Sequence, residues 1–173
     1  MIGMPKGLKE TSSTIAIGFG VAELGANTFI QDSIDLNLDP LNQEVFVVQS
    51  INLDPTPPDA LAGIDCTTFA SLTTTSQTDV ATLSNANCLA VARLDALGAG
   101  FTDAAVAFSR TSNEAPSTQL EYIGIVATND FFIQLKGQGN GRPKSVTGKV
   151  YGYRARADAS IYSALVSSEV LSA

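Results

Sequence analysis

The segment Ile15-Ala16-Ile17-Gly18-Phe19-Gly20-Val21-Ala22 sets large apolar side chains strictly against small ones. Period two marks an extended strand, because successive side chains point to opposite faces of the backbone. Ile15, Ile17, Phe19 and Val21 form one apolar face, while the glycines and alanines form a nearly bare one. A bare face lets another backbone approach closely. Residues 1–27 therefore read as an N-terminal arm or edge strand, in which those four apolar residues reach a neighbouring subunit.

The same signal recurs outward from that strand. Ile34, Leu36 and Leu38 alternate with Ser33, Asp35 and Asn37 until Asp39-Pro40 marks a turn. Val45, Val47, Ile51 and Leu53 form a third strand. It stops at Asp54-Pro55-Thr56-Pro57-Pro58, a proline cluster that cannot join a ladder and reads as a long loop. The Thr- and Ser-rich residues 67–83 read as a strand pair on their β-branched content. Leu89 to Leu94 and Ala105 to Arg110 are shorter strands, with Asp95 to Asp103 a loop between them. Leu120 to Thr128 is a longer strand, and Asn129-Asp130 a tight turn into Phe131 to Lys136. The glycine-rich run Gly137 to Pro143 leads into another strand, Val146 to Ala155, which predicts a hairpin loop. A phosphate cradle would need a helix there instead. Asp158 predicts the cap of one helix, Ala159 to Leu171, with Ile161, Tyr162, Leu165 and Val166 as its apolar stripe.

At 173 residues the chain is long enough for one domain with a real core. Nine or ten short strands, irregular loops, one terminal helix and no internal repeat predict an all-β fold. The expected architecture is an antiparallel β-sandwich, a single jelly roll, with a short C-terminal helix. The division is 1–27 as arm or edge strand, 28–157 as β-sandwich domain and 158–173 as C-terminal helix.

Charge is unevenly spread along the chain. Residues 1–66 hold two bases against nine acids, a net −7; residues 67–130 hold two against six, a net −4. Residues 131–173 reverse the sign, with six bases (Lys136, Arg142, Lys144, Lys149, Arg154 and Arg156) against two acids, a net +4. A subunit acidic in one part and basic in another attracts a complementary partner, and another copy of itself is an obvious one. The six bases have two readings: contact with single-stranded nucleic acid alongside Tyr151 and Tyr153, or pairing with the acidic N-terminal third within or between chains. Lys149, Tyr151 and Tyr153 share one strand face, and Arg154 and Arg156 the other. Pairing is the favoured reading. The overall acidic balance argues against a dedicated nucleic-acid binder.

Chemistry is constrained by what the chain lacks. It contains no His, the usual base of Ser and Cys hydrolases and the commonest transition-metal ligand. It contains no Trp to stack a sugar ring, and no acid pair stands out for carboxylate catalysis. No enzymatic activity and no cofactor are expected. Asp32, Asp35 and Asp39, and Asp54, Asp59 and Asp65, could offer oxygens to calcium, yet neither set follows the D-x-[DN]-x-[DN]-G loop, so solvated turn-forming acids are the preferred reading. Cys66 and Cys88 lack CxxC spacing and read as two half-buried free thiols in preference to a disulfide. No apolar leader follows Met1, and no stretch is long enough to span a bilayer, so an intracellular product without a membrane partner is expected.

The Thr/Ser-rich strand succession, the proline-rich loop at Asp54 to Pro58 and the long C-terminal hairpin read from Tyr122 to Tyr153 resemble coat proteins of small icosahedral viruses with a single jelly roll. The resemblance is one of general pattern over residues 28–157. It implies a capsid protein that self-assembles in many copies into an icosahedral shell, located in the virion and assembled in the host cytoplasm. Many such proteins carry an Arg/Lys-rich arm, whereas this N-terminus offers only Lys6 and Lys9. Genome contact would then fall to the C-terminal basic strands. Two other functions stay open: a β-sandwich subunit of an extracellular filament, tube or surface layer, and a non-catalytic ligand-binding β module.

Overall fold

The computed structural model describes residues 5–100, 102, 109–112 (backbone) and 120–172. Among these residues ten strands build two antiparallel sheets: β1 (Leu8–Glu10), β2 (Ile15–Ala22), β3 (Ile30–Asp35), β4 (Glu44–Pro55), β5 (Cys66–Thr73), β6 (Cys88–Ala96), β7 (Ser109–Ser112), β8 (Gly124–Val126), β9 (Asp130–Gln138) and β10 (Ser145–Ala157). One helix follows, α1 (Ala159–Leu171), with the Asp158 carboxylate accepting the Ile161 N–H at 2.9 Å. The fold is thus the expected all-β sandwich with a C-terminal helix.

In the first sheet β10 lies between β4 on one edge and β1 and β2, end to end, on the other, and β8 follows β4. The second sheet runs β3-β9-β5-β6-β7. Setting aside β1 and β7, the pairs nest: β5 with β6, β4 with β8, β3 with β9, β2 with β10. That nesting is one long antiparallel hairpin rolled into two layers.

Several sequence expectations change here. The run Gly137 to Pro143 is no hairpin, because β9 belongs to the second sheet and β10 to the first. Asn129-Asp130 likewise passes between sheets, since β8 pairs with β4. Adjacency in sequence suggested hairpins, but in a rolled fold most connections cross between layers. Leu120 to Thr128 shrinks to three strand residues, and residues 67–83 give one strand, not two. Residues 74–87 instead fold across the second sheet's outer face, where the Ala81 N–H reaches Ser71 Oγ and the Gln77 N–H reaches Gln31 Oε1. Most of the strand expected from Ala105 to Arg110 lies outside the described residues; β7 begins at Ser109.

The core between the sheets is built from Phe46, Val48, Leu53, Ala70, Leu72, Val126, Phe131, Ile133, Leu135, Val146 and Val150. Ile15, Ile17, Phe19 and Val21 pack against it half-buried, Phe19 meeting Phe131 edge to face at 5.7 Å. A bulge at Gln49 reverses the side-chain alternation of β4, since Tyr151 pairs with Ser50 and Gly152 with Val48. Val45 and Val47 therefore face outward while Ile51 and Leu53 face the core, whereas an unbroken period of two would put all four on one face. The outward pair joins Tyr153, Ala155 and Ala157 beneath Ile161, Tyr162, Leu165 and Val166 of α1. Gly152 is required where Phe46 crosses β10: a Cβ there would stand 2.2 Å from the Val47 carbonyl oxygen.

Candidate functional site

The six C-terminal bases do not gather into one patch. Alternation puts Lys136 on the outer face of the second sheet, where its Nζ lies 3.5 Å from Asp79. Lys144, 5 % exposed, donates to Asp59 Oδ1 at 2.6 Å. Asp59 Oδ2 also accepts the Gly141 and Arg142 N–H groups, at 2.9 and 3.1 Å. The Lys144 bond above all holds the Asp59 carboxyl below its ordinary range; burial opposes it, and the Gly141 and Arg142 N–H groups add to the lowering. The buried Glu23 carboxylate accepts the N–H groups of Gly137 and Lys144, tying the end of β2 to the β9–β10 connection. Asn140 bridges the same region, its Oδ1 accepting the Asp59 N–H and its Nδ2 donating to the Thr67 carbonyl.

Arg154 and Arg156 act at the opposite end of β10. The Arg154 guanidinium pairs with Glu44 and donates to the carbonyls of Leu36 and Asn37. Arg156 donates to the carbonyl and side-chain oxygen of Asn42. Both fasten the segment between β3 and β4, whose short 3₁₀ turn Pro40–Asn42 is capped by Asp39. The Asn42 amide first, and the backbone N–H of Leu41 as well, keep the Asp39 carboxyl below its usual range. Two of the bases thus pair with acids of the N-terminal third inside the same chain. The sequence polarity is folded back on itself because β10 is neighbour to both β2 and β4. Arg142 and Lys149 are exposed and have no ion pair among the described residues.

Among the described residues no group of three or more His, Cys, Asp or Glu side chains converges on a point where a metal could sit. Asp35 accepts from the Asn37 N–H and the Asn129 amide, and Asp65 from the Gly98 and Ala99 N–H groups. These acids serve turns. Cys66 and Cys88 are free thiols; Cys66 is buried, and burial raises the Cys88 thiol above its ordinary value.

Two of the concave regions among the described residues are lined by none of these ion-paired side chains. A cleft of about 560 Å³ lies between α1 and the β3–β4 segment, lined by Leu38, Pro40, Ala127, Tyr162 and Val166. Its polar rim is already engaged: Asn129 accepts the Leu38 N–H and donates to Asp35, and Thr128 donates its N–H to Glu169. The second region, a shallow depression of about 430 Å³, lies on the half of the first sheet that α1 does not cover, lined by Asn52, Asp54, Thr147 and Lys149. There the register sets Gly18, Lys149 and Asn52 in one row and Gly20, Thr147 and Asp54 in the next. This flat face ends at β2, whose outer edge pairs with nothing among the described residues. Ile15, Ile17, Phe19 and Val21 complete the chain's own sandwich there, on a strand at the edge of the sheet; that β10 is the strand beside them was not legible, because a strand's neighbours are not written in its own residues. No helix among the described residues is long and apolar enough to cross a membrane.

No family model matches the chain, and no curated protein matches it. Among solved structures, one of turnip yellow mosaic virus is similar at 13 % identity and a TM-score of 0.28, covering 83 % of this chain and 94 % of that chain. One of Desmodium yellow mottle tymovirus is similar at 13 % identity and a TM-score of 0.30, covering 91 % of this chain and 96 % of that chain.

Proposed function

We propose that this chain is a single jelly roll and a non-catalytic structural subunit of a virion shell, assembling from many copies of itself. The nested strand pairing carries the reading, since a hairpin rolled into two layers is the plan of the jelly roll, used by shell proteins, lectins and cupins. Residue types separate those uses. A cupin-type metal centre draws on imidazole ligands, and this chain has no His; a sugar platform draws on Trp, and it has none. In the cleft beside α1 the polar groups of Asn129 and Thr128 are already engaged by Leu38, Asp35 and Glu169.

Genome contact does not follow from the basic residues. Arg154 and Arg156 hold Glu44 and Asn42, so their replacement by Gln should loosen the β3–β4 segment and leave any nucleic-acid content of particles unchanged. The decisive experiment is electron microscopy with light scattering on the purified protein at moderate salt. Closed particles of many chains are expected. Fibres would favour the filament alternative, and a species of one chain's mass at every concentration would refute assembly.

A further inference from the structure

We propose that the outer edge of β2 binds the same edge of a second copy, antiparallel, about a two-fold axis at Gly18. The proposal deepens the assembly reading and rests on it. Its ground is a contrast between edges. Natural edge strands are blunted by charge, proline, bulges or shortness. β3 exposes Asp32 and Asp35, β8 has three residues, and β1 exposes Lys9 and Glu10. Residues 11–22 carry neither charge nor proline, and the β2–β10 register runs unbroken over eight pairs.

The strand is also self-complementary. In an antiparallel pair, directly opposed side chains lie on the same face. With Gly18 opposite Gly18, Ile17 meets Phe19, Ile15 meets Val21, and Ala16 meets Gly20. The half-buried apolar row is thereby continued by an identical row, and bare positions meet bare positions. Shifting the axis by one residue, to Phe19, would set Ile15 against the buried Glu23, which Gly137 and Lys144 already occupy.

Charge favours this edge for self-contact. Each copy carries a net −7, so approach costs least where a stretch of surface carries none. Lys149, beside Gly18 on β10, would stand three strand spacings from its symmetry mate, roughly 14 Å, beyond the screening length of about 8 Å at physiological salt. A second copy is the occupant because only an identical strand supplies this match about one axis.

The test uses the full chain with Cys88→Ser added to remove the half-buried thiol. Gly18→Cys should form an intermolecular disulfide under mild oxidation, because opposed Cα atoms in an antiparallel pair fall within disulfide range. Ala16→Cys, whose symmetry mate lies four residues along the pair, should not. Gly18→Lys fits the free chain, since a Cβ there meets nothing closer than the Lys149 side chain at 4.0 Å. It sets two ammonium groups opposite each other and should weaken association at least about tenfold, while Gly18→Ala keeps it. Circular dichroism confirms that each variant is folded. A parent that assembles, with no cross-link in the Gly18→Cys variant and unweakened association in the Gly18→Lys variant, overturns the pairing and leaves assembly standing. A parent that stays monomeric, with no cross-link, overturns both.

Discussion

The two sheets are each covered over part of the outer face, and in opposite ways. On the first, α1 lays Ile161, Leu165 and Val166 over Val45, Val47 and Ala155, an apolar cover. On the second, residues 74–87 cover the fully buried Ser71 and Gln134 with hydrogen bonds. Gln134 accepts from Ser71 at 2.6 Å and donates to Thr73 at 2.7 Å and Gln31 at 2.9 Å; Gln31 in turn accepts the Gln77 N–H. Apolar contact is non-directional and yields gradually when trimmed, whereas a buried polar network strands its remaining members when one is lost. The contrast explains why one cover is a regular helix and the other an irregular loop: each hydrogen bond dictates a local backbone direction.

The largest effect should come from Gln134→Leu. It keeps much of the volume but removes the bonds to Ser71, Thr73 and Gln31, leaving Ser71 with the Ala81 N–H, Thr73 with the Thr75 carbonyl and Gln31 with the Gln77 N–H, and should cost about 3 kcal/mol in denaturant unfolding. Adding Ser71→Ala should then cost less than it does alone, since its bond to Gln134 is already gone and only the Ala81 N–H is newly stranded; full additivity would show that the network is not cooperative. Val47→Ala, beneath the helix, should cost about 2 kcal/mol by removing two buried methyl groups. Leu165→Ala on the helix itself, half-buried, should cost about 1 kcal/mol, and the two together should be nearly the sum if the apolar cover yields gradually. Equal losses for Gln134→Leu and Leu165→Ala would erase the contrast between the faces.

Acid sharpens the comparison with the smallest effect. The Ile161 N–H first, then the Ser160 hydroxyl, hold the Asp158 carboxyl below its ordinary value of 3.8. A depressed folded pKa adds stability that is present above 3.8 and lost as pH falls through the lowered value. The helix cover should therefore loosen slightly below pH 3.8, read as exchange of α1 amide hydrogens, and Asp158→Asn should flatten that response. The Ser71–Gln134–Gln31 network contains no titrating group and should be silent over the same window. A matching acid response in residues 74–87 would count against this separation.

Much of the fold was legible because its signals are local. Asp158 followed by Ile161, Tyr162, Leu165 and Val166 specifies a capped helix with one buried stripe, and Ala159–Leu171 is the helix found. Ile15 to Ala22 alternates by two and is a strand of those bounds. Residues 67–83 misled because Thr and Ser suit both a strand and a loop that hydrogen-bonds over one; β-branched content does not say where the chain turns. The six bases were visible, but not that Lys144 and Arg154 are engaged by Asp59 and Glu44, some 85 and 110 residues away.

The sequence by itself determined which segments are extended, which is helical, and that the whole is an antiparallel β protein, because backbone alternation, capping and turn chemistry act over a few residues. The tertiary structure alone decided that β9 and β10 lie in different layers, that the Gln49 bulge turns Val45 and Val47 toward α1, and that β2 lies beside β10. Those choices depend on which distant strands meet. Pairing across a hundred residues is fixed by how two sheets bury one core, and no short stretch of the chain holds that information.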